Sequence, residues 1–347
     1  MAVSAPPHPG SAPPLTAERT LLAAPTPTVA ILLSTFNGEQ FLDDQLQSLL
    51  RQTVADWVLY WRDDGSDDGT VDIMRRFMAG PGAGRCHTVL DPPGRLRPTG
   101  SFMALLRAAV RTDVAAVAFA DQDDVWLPEK LARAVAALQP DPRPALYCSR
   151  QLLVDEALRH IGVSARLHQP PGFPAALTQN VATGCTLVLN HAAARLVAGS
   201  RPPPATLHDW WSYLVVSAHG GRVVTDATPT VLYRQHGGNA VGAPASMRRR
   251  FFEALRRGPG AFMAVLRSHV AALRAQPDLL TPDAAAALDV VEAGLQGGVP
   301  QRLAALQLGG LSRQTWQETL MFRLWFLVDH PPASSPGQPQ ASSAGRM

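Results

Sequence analysis

Lysine is almost missing from this chain of 347 residues: of 31 basic side chains only Lys130 is a lysine, and the rest are arginines. That scarcity excludes most lysine chemistry. No G-x-x-x-x-G-K-[ST] phosphate loop is present, and a Schiff-base mechanism would have to use Lys130 itself. Cysteine is nearly as scarce. Cys86, Cys148 and Cys185 lie far apart, with no C-x-x-C pair, so they read as reduced cytosolic thiols and small core residues, not zinc ligands or disulfide staples. Charged residues make up 17% of the chain, below the roughly 25% of an average soluble domain, which argues against wholesale disorder and against a coiled coil. No apolar run reaches the ~18 residues that a membrane-spanning helix needs.

What is present is apolar material, 46% of the chain, enough for a sizeable core and, on length, for roughly two domains or one with a large appendage. The net charge of +3 gives a mild preference for anionic partners. Residues 1–27 are rich in Ala, Pro, Ser and Thr and lack the basic and apolar regions of a signal peptide, so a disordered tail is expected there. Residues 331–347 have the same composition and the same expectation.

From 28 to 149 the pattern alternates. Val29–Leu33 is a continuous apolar run, as in a strand covered on both faces, and apolar residues from Phe41 to Leu50 then recur at helical spacing. Trp57–Trp61 is a second strand, followed by a helix that Asp67 would cap and that carries Val71, Met74, Phe77 and Met78. Cys86–Leu90 and Val114–Ala120 make further strands, Phe102–Val110 a helix, and Pro128 stands at the start of another, Glu129–Leu138. Strands alternating with helices predict an α/β fold with a doubly wound, mostly parallel, Rossmann-like sheet. Such sheets bind ligands beyond the carboxyl ends of their strands. Here those ends carry Ser34–Asn37, Asp63–Ser66 and Asp121–Asp124.

The segment from Asp64 to Asp72 begins like an EF-hand loop, with Ser66, Asp68 and Gly69 in place, but Arg75 stands where the bidentate Glu belongs. Calcium is excluded there. A turn with a helix cap and a ligand role for Asp63 or Asp64 can coexist. The segment Asp121-Gln122-Asp123-Asp124-Val125-Trp126 follows a buried strand directly. Three carboxylates in four residues repel one another unless a cation or solvent relieves them, and Mg²⁺ or Mn²⁺ takes one or two carboxylates with substrate phosphate. An Asp-rich cap for the helix after Pro128 would need only one of the three, so a metal–diphosphate site is the favoured reading.

These motifs, with Ser34-Thr35-Phe36-Asn37-Gly38 and Arg62-Asp63-Asp64-Gly65-Ser66, resemble the family 2 glycosyltransferases of the GT-A fold. Adding Thr183-Gly184-Cys185-Thr186, His208-Asp209-Trp210-Trp211 and Tyr233-Arg234-Gln235-His236-Gly237-Gly238-Asn239, the chain is similar to bacterial rhamnosyltransferases over residues 28–242. The resemblance implies a GT-A domain over 28–242, with a nucleotide-sugar half (28–149) and an acceptor half (150–242), then a basic helical extension over 243–330. It implies that Thr35, Asn37, Glu39 and one of Asp63 and Asp64 hold the nucleoside. Asp121 and Asp123 stand in the places of the D-x-D pair, with Asp123 the direct metal ligand and Asp124 its alternative. His236 becomes a further metal or diphosphate ligand and Arg234 a diphosphate contact. Where rhamnosyltransferases often have Asn-Phe, this chain has Ser101-Phe102.

By its own chemistry, Asp209 precedes an apolar helical stretch and reads either as an N-cap or as the general base for the acceptor hydroxyl. The resemblance places the family's base there. Trp210 or Trp211 would stack on a sugar face or, on the plainer reading, belong to the core. His208 reads as a neighbour that hydrogen-bonds locally. Thr183 and Gly184 shape the acceptor-side floor, or equally a tight turn into the strand Leu187–Leu189.

From Met247 to Arg274 seven arginines face one glutamate, and Trp316, Leu320, Met321, Leu324, Trp325 and Leu327 repeat at helical intervals. Packing on the catalytic domain and peripheral attachment to anionic lipid stand level here, and no motif supports nucleic-acid binding. The combined expectation is an inverting, Mn²⁺- or Mg²⁺-dependent transferase, cytoplasmic or peripheral on the inner face of the plasma membrane. It would move L-rhamnose from dTDP-rhamnose to a surface polysaccharide or a lipid-linked, polyprenyl-borne precursor. A nucleotidyltransferase lacks the glycine-rich basic loop for a triphosphate, and a non-catalytic nucleotide- or glycan-binding module leaves base, metal loop and Arg-x-His without a purpose.

Overall fold

The computed structural model describes residues 29–138, 142–204, 206–237 and 259–329, together with Met1. The two tails, the segment Met247–Arg257 and the boundary near 242 fall outside the described residues. β1 (Val29–Thr35), β2 (Trp57–Asp63), β3 (Cys86–Thr88) and β4 (Ala116–Ala120) form a parallel block in the order β3-β2-β1-β4. Side chains of a strand alternate between faces, and β1 feeds two cores in turn. Ala30 and Leu32 enter one, Val29, Ile31 and Leu33 the other. The second core is covered by α1 (Leu42–Leu50), α2 (Thr70–Ala79) and α4 (Lys130–Leu138); the first by α3 (Arg97–Ala109), α5 (His191–Gly199) and α6 (His208–Ala218). A sheet sandwiched between helical layers is the expected α/β architecture.

Beyond β4 the sheet becomes mixed. β5 (Val125–Trp126) follows the carboxylate loop, and β6 (Ala145–Val154) pairs with the edge strand β7 (His160–Val163). β8 (Val188–Asn190) is inserted antiparallel between β4 and β6, while β9 (Arg222–Arg234) runs parallel to β6 and antiparallel to β5. Reversing β8 brings the turn that enters it, Gly184–Thr186, to the carboxyl end of β4.

Two helix starts differ from the sequence expectation. α2 is capped at Gly69 with no side-chain cap bond, and Asp68 rather than Asp67 receives the Thr70 backbone N–H at 3.0 Å. α3 begins at Arg97, before Phe102, because the Asp64 carboxylate accepts its first N–H groups. After β9 come α7 (Pro259–Arg274), α8 (Pro282–Gln296), α9 (Val299–Leu306) and α10 (Trp316–Val328). Leu266, Val270, Leu288, Val291, Phe322 and Phe326 join the core that also holds Trp211 and Leu214 of α6, so this extension shares the domain's interior. No helix among the described residues is long and apolar enough to cross a membrane.

Candidate active site

The register of β1 sets Thr35 beside Asp63 and Leu33 beside Ala120, so three loops leave the sheet at one edge. They are tied together. Thr35 Oγ1 donates to Asp63 Oδ1 at 2.9 Å and accepts from Trp61 Nε1 at 3.0 Å. Asp63 Oδ2 also accepts the N–H groups of Gly65 and Ser66 at 3.0 and 2.8 Å. Asn37 sits at φ 49°, a left-handed conformation that asparagine tolerates, and its Oδ1 accepts the Asp67 N–H at 3.0 Å. Glu39 Oε2 accepts from the Gly69 N–H at 2.9 Å. Thr35, Asn37, Glu39 and Asp63 are thus brought together where the two loops meet.

Asp64 is not with them. It is 5% exposed and accepts from Leu96 and Arg97 N–H at 2.6 and 2.8 Å and from Ser101 Oγ at 3.0 Å. Its carboxylate anchors α3, and Ser101 contributes to that anchor. Gln122, which sequence reasoning passed over, joins two loops through both ends of its amide: Phe36 N–H donates to Oε1 at 2.8 Å and Nε2 donates to the Phe36 carbonyl at 3.0 Å. A Cβ on Gly38 would come within 2.5 Å of that Oε1, so any larger residue there would have to displace the Gln122 amide. The available signal was one uncharged amide set among three aspartates.

β5 pairs with β9 through Val125–Leu232 and Trp126–Val231, so the loop before β5 meets the residues after Leu232. His236 Nε2 accordingly lies 2.8 Å from Asp123 Oδ2, with both side chains partly open to solvent. Asp124 points inward. Its Oδ1 accepts the Arg234 N–H at 3.1 Å, and its buried Oδ2 has no hydrogen-bond partner among the described residues. Oxygens of Asp121 and Asp124 and the sulfur of Cys185 gather within 4.8 Å of one another.

Burial first, then the Asp123 and Asp209 charges, push the Asp121 carboxyl up to about 8, against the pull of Lys130. Burial and the same crowding raise Asp124 well above the usual range. Lys130, fully buried with Nζ 3.6 Å from the centre of the Trp126 ring, is pulled down to about 7 by desolvation.

Arg234 requires a correction. The implied diphosphate contact is a buried clamp, with its side chain 2% exposed. Its Nε donates to the Asp123 carbonyl at 2.9 Å, one terminal nitrogen donates to the Glu156 carbonyl, and the other meets Asp44 Oδ2 at 2.8 Å. The guanidinium also stacks over Phe41 at 4.4 Å. The position belongs to the end of a central strand, where a fork of donors pins the carboxylate loop from beneath.

Asp209 lies in the first turn of α6, one residue inside the helix and not at the cap, which is Leu207. Its Oδ1 accepts the Trp210 N–H at 2.6 Å and its Oδ2 the Gly184 N–H at 3.0 Å. Burial raises this carboxyl to about 6, opposed by the N–H groups of Trp210 and Gly184 and by Asn180. A carboxylate so oriented keeps lone pairs for a proton and titrates near neutrality.

Contrary to expectation, His208 makes no hydrogen bond through either ring nitrogen among the described residues. It stacks on Phe102 and Phe119, with ring centres 3.9 and 5.2 Å away, and burial depresses it to about 3, so it is neutral. Trp211 is fully buried, with Nε1 donating to Ser200 Oγ at 2.7 Å, and it presents no face to a sugar. Trp210 is half-buried, with Nε1 donating to the Ala176 carbonyl at 2.7 Å. Thr183, next to the Gly184 donor, lines a cavity of about 240 Å³ that also takes in Gln151, Arg150 and Arg166. Gln151 Nε2 reaches Cys185 Sγ at 3.4 Å, which links that cavity to the carboxylate cluster.

The residues fit a divalent cation. Carboxylates are the donors that Mg²⁺ and Mn²⁺ take, and the orphaned Asp124 oxygen lies in a cluster whose mutual repulsion a cation relieves. Cys185 does not fit, because burial and the neighbouring aspartates hold its thiol protonated.

Comparison with known proteins gives the same picture. Among solved structures, residues 1–349 of S. aureus TarS, in complex with UDP-GlcNAc, superpose with a TM-score of 0.51 at 13% identity, covering 80% of this chain and 78% of that one, a likeness of fold alone. The dTDP-rhamnosyl transferase RfbG of Shigella flexneri is 26% identical over 234 residues, 63% of this chain and 76% of that protein. The putative teichuronic acid biosynthesis glycosyltransferase TuaG of Bacillus subtilis is 30% identical over 107 residues, 31% of this chain and only 40% of its own length. Residues 30–182 match the sequence profile of glycosyl transferase family 2, a span that contains both nucleotide-side loops and the whole carboxylate loop. Residues 30–182 are thus a glycosyl transferase family 2 domain, and the chain is a glycosyltransferase of the GT-A fold.

Proposed function

We propose that the enzyme transfers L-rhamnose from dTDP-rhamnose, with inversion, to a hydroxyl of a cell-surface polysaccharide or of its lipid-linked precursor. The observation that carries the reaction type is Asp209. Its carboxylate is fixed by two backbone N–H groups and raised toward neutrality by burial, and it lies close enough to Asp121 for its charge to be felt there. Asp209 takes the acceptor proton as that oxygen attacks the anomeric carbon. The bond from that carbon to the diphosphate oxygen breaks, and the nucleoside diphosphate leaves with the electron pair. Thr35, Asn37, Glu39 and Asp63 line the nucleoside end, the cavity lined by Thr183 receives the acceptor, and half-buried Trp210 stands on the acceptor side.

Asp121, Asp123 and His236 would hold a Mg²⁺ or Mn²⁺ ion, whose charge offsets that developing on the diphosphate. The rhamnose assignment is supported by the similarity to RfbG, and the surface-glycan acceptor by the similarity to TuaG, named for teichuronic acid biosynthesis. A lipid-linked acceptor would give the cytoplasmic chain a reason to work at the membrane.

The test is nucleotide release from a panel of nucleoside diphosphate sugars with Mn²⁺ or Mg²⁺ and then with chelator, in the presence of lipid-linked glycan acceptors. Metal-dependent release of dTDP from dTDP-rhamnose supports both transfer and donor. Release from another donor alone discards rhamnose and keeps the mechanism.

A further inference from the structure

Helix α10 carries large apolar residues on two opposite sides, and among the described residues only one of those sides is covered by protein. Phe322 and Phe326 are buried in the core, while on the opposite side Trp316, Leu320, Leu324 and Val328 are 72, 50, 53 and 57% exposed. Those four stand four residues apart, and a helical i, i+4, i+8 series forms one nearly straight stripe. At ~1.5 Å per residue it is about 20 Å long. Soluble proteins scatter exposed apolar side chains singly; a contiguous stripe marks a contact surface.

The surroundings choose its occupant. Arg323 is exposed on the same face. A groove of about 440 Å³ runs beside Trp316 and Leu320, lined by Arg313, Arg323, Thr315 and Thr319. The carboxylates of the helix and its end are turned away: Glu318 Oε2 accepts from Thr315 Oγ1 at 3.1 Å, and Asp329 is buried against Arg267. The neighbouring helix α9 exposes Val299 and Leu303 at 60 and 47%, and its only charged side chain, Arg302, is buried and bonded to backbone carbonyls.

An apolar stripe with a tryptophan, arginine beside it and, among the described residues, no exposed carboxylate on the face is the chemistry of a helix lying in an anionic lipid interface. A second copy fits worse. An isologous contact would set Arg323 of one copy near Arg323 of the other, with no exposed carboxylate on the face to pair with either.

We propose that the α10 face is a membrane-docking surface for anionic phospholipid, with Trp316, Leu320, Leu324 and Val328 at the acyl boundary and the arginine-lined groove on the headgroup phosphate. The proposal does not depend on which sugar is transferred or on whether the acceptor is lipid-linked.

The full chain would be co-sedimented with phosphatidylcholine vesicles and with vesicles rich in phosphatidylglycerol. The wild type should pellet with the second and not the first. The double variant Trp316→Ala/Leu320→Ser should lower the vesicle partition coefficient at least ~tenfold, on the order expected for removing two partly buried apolar side chains. Arg323→Glu should abolish the preference for anionic vesicles. Both variants should bind nucleoside diphosphate as the wild type does, which separates loss of docking from loss of fold. The proposal is overturned if the wild type ignores both vesicles, or if the double variant binds as well as the wild type. It is equally overturned if light scattering shows a dimer that the same substitutions dissociate while no vesicle is bound.

Discussion

Replacing Asp209 with asparagine separates a base from a structural anchor. The side chain keeps its shape but can no longer take a proton, and general-base removal lowers turnover ~10²–10⁴-fold, or about 2.7–5.5 kcal/mol of barrier. Stability should move differently. In the wild type the Asp209 carboxyl titrates near 6 when folded, against 3.8 for its ordinary value. A raised folded value stabilises at low pH, and that contribution is lost as pH climbs from 3.8 through 6. By pH 7 the ionised group therefore costs about 3 kcal/mol relative to a neutral one, at ~1.4 kcal/mol per pH unit.

Asparagine removes that penalty. It also turns its NH₂ toward one of the two backbone donors, from Gly184 or Trp210, leaving a buried N–H unpaired at ~1–3 kcal/mol. The two effects nearly cancel, so Asp209→Asn should unfold at pH 8 within a few degrees of the wild type while transferring sugar at least ~100-fold more slowly. Thermal unfolding followed from pH 4 to 8, beside kcat at saturating donor, reads both. The wild-type kcat/KM should rise with pH to a plateau above about 6, the ionisation of Asp209. A variant that loses stability, donor binding and turnover together would make Asp209 an anchor and refute the argument.

Other outcomes follow from the same geometry. Gly184→Ala sets a methyl 2.9 Å from His208 Nε2 and 3.7 Å from Asp209 Cβ; turnover should fall on the order of 10²-fold, as for a displaced catalytic group, with donor Kd unchanged. Arg234→Lys keeps the charge but not the fork; urea unfolding should show a loss of about 1–3 kcal/mol, the usual cost of leaving buried hydrogen-bonding groups unpaired. Asp123→Asn and His236→Ala should each raise the concentration of Mn²⁺ or Mg²⁺ needed for half-maximal transfer at least ~tenfold, checked by titrating metal into chelator-stripped enzyme. Equal metal dependence in all three proteins would remove the Asp123–His236 pair from the ion.

The four-strand parallel block was readable because both faces of β1 and β4 are covered, which makes their sequences unbroken apolar runs. β6 and β9 carried no such signature. β9 runs as Arg-Val-Val-Thr-Asp-Ala-Thr-Pro-Thr-Val-Leu-Tyr-Arg, with polar residues and a proline, and it is held by pairing to β6 and β5 along its length. Asp123 and His236 are more than a hundred positions apart and meet through that pairing alone. The motif placed both at the site, but their 2.8 Å contact is a matter of strand register. Arg234 misled for the same reason. An arginine between carboxylates and a histidine looks like a phosphate ligand, and only the fold shows its donors turned to two carbonyls and the Asp44 carboxylate. The adjacent aspartates 63 and 64 point to opposite sides of the chain, and a local pattern could not tell which faces the cleft.

The single lysine has an experimental consequence. With Lys130 enclosed against Trp126, amine-reactive dyes meet one accessible amine on the folded chain, the α-amino group. Labelling under native conditions should yield one dye per molecule at a known end, as surface attachment or single-molecule work requires. A second dye becomes a time stamp for opening of the interior beneath the Asp121–Asp124 loop. The rate at which it arrives measures how often that floor comes apart, without any engineered probe.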